Sequence, residues 1–190
     1  MTTPQAEKKV KKPFWTRERY LQIVALLFVV ALSVFLVINR ARVAEFGAYG
    51  YLGVFIISII SSASIVLPVP SWILVATLGG ILNPVLVGVV SGVGGTIGEM
   101  TGYLLGYGGR LAVDNVPLYN RMVGWMKSWG SLTIFVLALI PNPLFDVAGA
   151  AAGLLRFPVW KFILFGAAGR IPKNIFFAYI GVWGLHIFGI

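Results

Sequence analysis

Four charged side chains lie inside long apolar stretches of the sequence: Glu99, Asp146, Arg170 and Lys173. A charge in the hydrocarbon core of a bilayer costs about 3 kcal/mol, and such residues pair with one another or face a water-filled cavity. Groups of both signs at such depth can bind a polar headgroup or an ion, or can neutralise each other. The sequence therefore predicts a transport path through a membrane, lined by Glu99, Asp146, Arg170, Lys173, Asn142 and Tyr103.

An internal repeat relates these charges to one another. Leu67-Pro68-Val69-Pro70 returns 73 residues later as Ile140-Pro141-Asn142-Pro143. Aligned with a shift of 74 residues, the apolar segments that follow place Glu99 opposite Lys173, three residues beyond Arg170. One hypothesis is that Glu99 neutralises Arg170 or Lys173 near the membrane midplane. The alternative is that both cations extend to a membrane surface and never meet Glu99.

Asp146 and Asn142 each allow two interpretations. Asp146 follows the second proline pair, where the first copy has the apolar Ile73. It could cap a following half-helix, whose positive N-terminal end favours a carboxylate, or it could act on a substrate or a proton. The same two alternatives hold for Asn142.

The composition indicates the class of protein that must position these groups. Hydrophobic residues make up 58% of the 190-residue chain and charged residues only 11%, which is typical of a polytopic membrane protein. The chain has no cysteine and one histidine, so we expect neither thiolate chemistry nor a metal or other cofactor. Six of its 15 Lys and Arg residues lie within residues 1–19. This pattern predicts a basic cytoplasmic tail and argues against a nucleic-acid interface.

The first apolar run, residues 20–38, is long enough for a transmembrane helix. As a helix it would extend about 28 Å, close to the thickness of the hydrocarbon core. A cleaved signal peptide is the alternative, but no Ala-x-Ala-like site follows the run directly. We therefore predict an N-terminal span in the plasma (inner) membrane with a cytoplasmic N-terminus, followed by a membrane domain over residues 49–190.

The next apolar stretch is too long for a single helix. No Asp, Glu, Lys, Arg or His occurs in residues 46–98, and one helix of that length would measure about 80 Å, more than twice the membrane core. The chain must fold back where proline and glycine interrupt it. We predict a re-entrant hairpin in each of two repeats, residues 67–106 and 140–181. The predicted hairpin breakers are Pro68, Pro70, Gly79, Gly80, Pro141, Pro143, Gly149 and Gly153.

Between the repeats, residues 110–130 are predicted to form an amphipathic helix lying flat on the membrane. Apolar residues recur there at helical spacing opposite Asn120, Arg121 and Lys127. A hairpin and a flat helix add no crossing, so the second repeat should be inverted relative to the first. The predicted fold is thus an all-α polytopic membrane protein built from an inverted repeat. Three cations at its predicted surfaces would bind phosphate headgroups or act as snorkelling anchors: Arg110, Arg156 and Lys161.

Two blocks of the sequence resemble a known family. Gly98-Glu99-x-x-Gly102-Tyr103-x-x-Gly106 with Gly109-Arg110 is similar to the acidic signature of the DedA family, also called the VTT domain. Gly169-Arg170-Ile171-Pro172 before Tyr179-Ile180-Gly181 resembles its other block. The resemblance covers residues 51–181. It implies two opposed re-entrant hairpins and lipid translocation, of undecaprenyl phosphate or phospholipid in bacteria and as scrambling in eukaryotic relatives.

The chain departs from the better-studied bacterial members of that family in its charged residues. Residues 138–144 contain no arginine, and Ser71-Trp72 stands where an acid is expected soon after the first proline pair. The resemblance therefore implies a divergent member.

Three functions follow from these patterns. The first is a lipid flippase or scramblase whose partners are membrane lipids with anionic headgroups. The second is an ion- or proton-coupled carrier of a small solute, and the third is a scaffold that recruits partners without transporting anything. No nucleophile or metal set accompanies Glu99 and Asp146 in the sequence, so an enzyme is not expected. A homodimer is compatible with the sequence.

Overall fold

Helices form the regular secondary structure of the part of the chain that this computed structural model describes, which is residues 17–45, 47–63, 71–109, 116–141, 144–187 and 189. In chain order these helices are α1 (Arg17–Ile38), α2 (Arg40–Glu45), α3 (Ala48–Ala63), α4 (Ser71–Ile81), α5 (Pro84–Gly98), α6 (Met100–Tyr107), α7 (Val116–Leu139), α8 (Leu144–Leu154) and α9 (Val159–Ile187). The predicted all-α class is confirmed over these residues. Five of the predicted site residues lie outside them: Pro68, Pro70, Arg110, Asn142 and Pro143.

Among the residues that the structure describes, two stretches of helix are long and apolar enough to cross a membrane, Pro84–Tyr107 and Asn120–Leu139. Several other apolar helices are shorter. Helices α4 and α8 have 11 residues each, so each extends only about 16 Å, half of the hydrocarbon core. Helix α1 covers the predicted N-terminal span, although its crossing of a membrane stays a prediction.

The turn between α4 and α5 forms because Asn83 and Pro84 specify a helix start. The Asn83 side-chain oxygen accepts hydrogen bonds from the backbone N–H groups of Val85 at 3.0 Å and Leu86 at 3.2 Å, which satisfies two donors that have no partner within the helix. Pro84 occupies the first helical turn, where its missing N–H costs nothing. In the second copy, Pro141 follows the end of α7, as expected of a residue that cannot continue a helix.

The prediction that glycines break the hairpin helices is wrong. Gly79 and Gly80 lie inside α4, and Gly149 and Gly153 lie inside α8. The reason is tertiary packing: a methyl group added to Gly79 would overlap Ala178 of α9. Close approach of another helix compensates for the poor helix propensity of glycine.

Helix α7 contains the predicted flat helix and continues beyond it. Its first half covers the described part of residues 110–130, and the backbone then departs from helical geometry at Trp129, with φ −132° and ψ 16°. The bend falls where the flat helix was expected to end. Its orientation to the membrane stays a prediction. At the other end of the chain, α9 is one helix of 29 residues with Pro172 inside it.

Helices α5 and α9 cross at the centre of the fold and run antiparallel. Gly88 lies against Ile175 and Gly92 against Ile171, so successive turns of α5 meet earlier turns of α9. Glycine at these positions lets the two backbones approach closely. Helix α3 packs on the other side of α5, and α7 packs on α9.

The two short helices make matched contacts with the long helices of the opposite copy. Helix α4 packs on α9 and α8 packs on α6. Gly181 of α9 lies against the Ala76 carbonyl of α4, and Gly106 of α6 lies against the Ala150 carbonyl of α8. Ala76 and Ala150 are separated by the repeat shift of 74 (150 − 76), and Gly106 and Gly181 by 75 (181 − 106). The internal repeat of the sequence is therefore also a repeat of tertiary contacts.

Candidate functional site

Glu99 lies at the junction of α5 and α6, within a nearly continuous helix. Its N–H donates to the Gly95 carbonyl at 3.1 Å, and its own carbonyl accepts from the Tyr103 N–H at 3.2 Å. Only 5% of Glu99 is exposed. The glycines beside it make room for neighbours, because a methyl group on Gly98 would overlap the Ile59 carbonyl of α3. These glycines thus let α3 pack closely beside the buried carboxyl group.

Arg170 of α9 is the direct partner of Glu99. Its Nη2 donates to Glu99 Oε1, and its Nη1 donates to Ser62 Oγ of α3 at 3.0 Å. The guanidinium carbon is 5.1 Å from the centre of the Phe145 ring of α8. The hypothesis that Glu99 meets a cation of the second repeat is confirmed, with Arg170 as that cation. The Arg170 Nε, also buried, has no hydrogen-bond partner among the described residues.

Asp146 and Lys173 extend this ion pair into a cluster of four charges. Glu99 interacts electrostatically with Arg170, Asp146 and Lys173, and Lys173 interacts with the other three groups in turn. Asp146 lies in the first turn of α8, where a carboxylate is favoured by the helix dipole, so capping and site roles are compatible. When all four groups are ionised, two acids and two bases give the cluster no net charge.

Tyr103, predicted to line the path, is buried in contacts that join α6 to the α8–α9 connection. Its hydroxyl donates to the Phe157 carbonyl at 2.6 Å, and its ring centre is 5.3 Å from that of Phe162. Gly149 and Gly153 of α8 lie against its backbone. These contacts are those of a packing residue one helical turn away from Glu99.

Three polar residues of this region were missed by the sequence analysis. Ser62 contacts Arg170, and Asn174 Nδ2 donates to Ser91 Oγ at 2.9 Å, a second polar link between α5 and α9. Ser91 is 1% exposed. The signal for Asn174 was its place beside Lys173 in an apolar helix, whereas Ser62 carries no signal that distinguishes it from the neighbouring serine.

Arg156 and Lys161, two of the three predicted surface cations, lie apart from the cluster. The Arg156 guanidinium is 5.5 Å from the centre of the Tyr107 ring, and Lys161 Nζ is 5.4 Å from that of Trp160. An open apolar groove of about 360 Å³ runs along α7 and includes no predicted site residue; it is lined by Trp125, Trp129, Leu132, Thr133, Val136 and Leu137. Within the described residues, no group of three His, Cys, Asp or Glu side chains could hold a metal ion.

Apolar helices of membrane-spanning length and a buried cluster of opposite charges define a helical membrane protein. Residues 69–182 match the VTT domain, and the chain belongs to that family. The family resemblance found in the sequence motifs is thereby confirmed.

Relatives with curated names include a bacterial and a plant protein. The chain is 30% identical over 112 residues to undecaprenyl phosphate transporter A of Bacillus subtilis, an alignment that covers 54% of each protein. It is 30% identical over 101 residues to the vacuole membrane protein KMS2 of Arabidopsis thaliana, covering 43% of this chain and 24% of that protein. The chain thus spans about half the length of the Bacillus protein and about a quarter of the length of the Arabidopsis protein. No solved structure matches it.

Proposed function

We propose that the protein moves a phosphate-bearing lipid between the leaflets of a membrane, as a flippase or scramblase. The observation that carries this proposal is the four-charge cluster enclosed by α3, α8, α9 and the α5–α6 junction. A lipid headgroup crosses the hydrocarbon core at high cost because it loses its hydration. Charged groups of both signs at mid-depth replace part of that hydration.

The cluster can bind a headgroup by exchanging partners. Arg170 holds Glu99, and a phosphate can take the place of the carboxylate on the guanidinium, since both bind it through paired N–H donors. The Arg170 Nε, which has no hydrogen-bond partner in the described part of the chain, offers a further donor. Glu99 would then interact with Lys173 or with an amine of the headgroup, so that each charge keeps a partner.

The antiparallel crossing of α5 and α9 supports an inverted repeat. These helices occupy equivalent places in the sequence repeat, so their opposite directions favour opposite orientations of the two copies. The short helices α4 and α8 would then enter from opposite faces as the helical parts of two re-entrant hairpins. Such an arrangement brings polar groups of both copies to the midplane. We place the protein in the plasma (inner) membrane with its N-terminus in the cytoplasm.

The name of the Bacillus relative supports a lipid as cargo, because that protein is called a transporter of undecaprenyl phosphate. A polyprenyl phosphate and a phospholipid share the phosphate group that the cluster could bind. An ion- or proton-coupled solute carrier is the alternative within transport, and a scaffold without transport is the alternative outside it. The scaffold hypothesis requires nothing of the buried charges.

A lipid-scrambling assay in liposomes tests the proposal. Purified protein is reconstituted with fluorescent phospholipid or a fluorescent polyprenyl phosphate, and the fraction of probe reached by an external quencher is followed in time. We expect wild-type protein to move at least one probe and Glu99→Gln to lose most of that activity. Glu45→Gln, which changes an exposed acid of α2, is the matched control and should behave as wild type.

The alternatives give different results in the same assay. Wild-type liposomes that move no probe faster than empty liposomes would contradict lipid translocation. A Glu99→Gln protein that folds and scrambles as wild type would show that translocation does not depend on the charge of Glu99. That result would favour a different path through the protein or a scaffold function.

A further inference from the structure

The end of α8 places an arginine where helices usually have glycine. The Arg156 N–H donates to the Gly153 carbonyl and the Phe157 N–H to the Ala152 carbonyl, both at 2.9 Å, which is the hydrogen-bond pattern of a Schellman motif. Arg156 has φ 52°, in the left-handed region. A side chain is strained there, so glycine would end this helix better. Helix termination alone does not account for the arginine.

The Arg156 guanidinium is held in place and yet remains open to a ligand. Its carbon is 5.5 Å from the centre of the Tyr107 ring, a cation–π contact that favours this position of the side chain over α6. Arg156 is exposed, and no carboxylate among the described residues pairs with it. A guanidinium has five N–H donors, and the exposed ones can bind an anion.

The face of α6 that carries Tyr107 also carries the packed Tyr103 and, one turn further back, the buried Glu99. Glu99, Tyr103 and Tyr107 follow one another at intervals of four residues, so they lie on one face of the helix. Tyr103 and Tyr107 stack with ring centres 6.3 Å apart. Eight residues of helix extend about 12 Å, which is the distance along α6 from the buried carboxyl group to the level of Arg156.

We propose that Arg156 binds the phosphate of a lipid headgroup at the mouth of the path that leads to the Glu99–Arg170 pair. This proposal rests on lipid translocation as the function of the cluster. A guanidinium binds phosphate through parallel hydrogen bonds, and its fixed position over Tyr107 lowers the entropy lost on binding. A snorkelling anchor would need neither a left-handed backbone nor a ring beneath it.

Substitution by glycine separates a ligand contact from a structural role. Full-length protein in uncharged detergent is titrated against a fluorescent short-chain phosphatidic acid, and binding is followed by anisotropy. We expect Arg156→Gly and Arg156→Gln to weaken binding about fivefold, the usual contribution of one basic residue near an anionic membrane surface. The thermal midpoint of Arg156→Gly should equal or exceed that of wild type, because the strain is gone. Arg42→Gln, at an exposed cation of α2, should bind as wild type.

Binding by Arg156→Gly at wild-type strength would overturn the proposal, since the variant keeps the helix end and lacks the guanidinium. Inorganic phosphate provides a further arm of the test. A hundredfold excess over the probe should displace less than half of it, and complete displacement would assign the site to free phosphate and overturn a lipid contact.

The failure of this site and the failure of the proposed function give different results. Loss of binding in Arg156→Gly together with normal scrambling in Glu99→Gln would support the headgroup site and contradict translocation through the Glu99 cluster. Unchanged binding in Arg156→Gly together with lost scrambling in Glu99→Gln would contradict the headgroup site and support translocation through the Glu99 cluster.

Discussion

The Glu99–Arg170 pair should contribute measurably to stability, and a double-mutant cycle tests how much. Arg170→Gln removes the cation and leaves the Glu99 carboxyl group, 5% exposed, without its direct partner. Breaking a buried ion pair from one side costs about 3–5 kcal/mol. We expect a value near 3 kcal/mol here, because Lys173 remains within electrostatic range of Glu99.

Glu99→Gln should cost less than Arg170→Gln. A glutamine oxygen can still accept the hydrogen bond from Arg170, and Asp146 remains to balance the cation, so we expect a loss of about 1–2 kcal/mol. The double variant carries two amides in place of Glu99 and Arg170, so neither member of the pair remains as a buried charge without its partner. We therefore expect the double variant to be more stable than the sum of the single losses predicts, by about 2 kcal/mol.

The free energy of unfolding can be measured in mixed micelles by titration with sodium dodecyl sulfate, with the fluorescence of the six tryptophans as the signal. Glu45→Gln and Arg42→Gln, both in α2 and exposed, provide a control pair that should change stability little. Single losses that add to within about 0.5 kcal/mol would refute the reasoning, because such additivity means that the two side chains do not stabilise each other.

Other contacts give predictions for the same unfolding assay. Gly106→Ala and Gly181→Ala should each lower the free energy of unfolding by about 1–3 kcal/mol, since the new methyl group would overlap a backbone carbonyl. Gly124→Ala and Gly184→Ala, whose methyl groups would meet nothing within 4 Å, should raise it by about 0.5–1 kcal/mol; equal effects at all four positions would contradict the matched contacts. Asn83→Ala removes both cap hydrogen bonds and should cost about 1 kcal/mol, whereas Asn83→Asp should retain most of that stability. Tyr103→Phe removes the hydrogen bond to the Phe157 carbonyl and should cost about 1 kcal/mol, and an unchanged midpoint would show that this bond contributes nothing.

The fate of the charged residues shows how far sequence reasoning reached. Charge in an apolar segment is costly wherever the segment packs, so Glu99, Arg170, Lys173 and Asp146 could be grouped before any fold was known. The choice between Arg170 and Lys173 could not be made, because both project from neighbouring faces of α9. Packing of α3 and α8 against Arg170, through Ser62 and Phe145, decided it.

The glycines show where sequence reasoning failed, and why. A glycine lowers the local propensity for helix, and that effect is visible in a sequence. The sequence does not show that a helix from a distant part of the chain packs against the glycine and leaves no room for a side chain. Gly79 and Gly153 were therefore expected to break helices that they instead bring into contact with α9 and α6.

The exchange of short helices between the two copies has a consequence for biosynthesis. Gly79 of α4 lies against Ala178 of α9, so this surface of α4 waits for a partner made 99 residues later (178 − 79). At a synthesis rate of about 5–20 residues per second, the wait lasts about 5–20 s. A nascent chain stopped before α9 is therefore expected to leave this surface of α4 uncovered, although α1, α3 and α5 can already pack against its other surfaces. Cysteines can be placed at positions 72 and 177, where the Trp72 and Phe177 rings of α4 and α9 lie 5.9 Å apart. Crosslinking of this pair on stalled chains of increasing length would show the chain length at which the two halves first join.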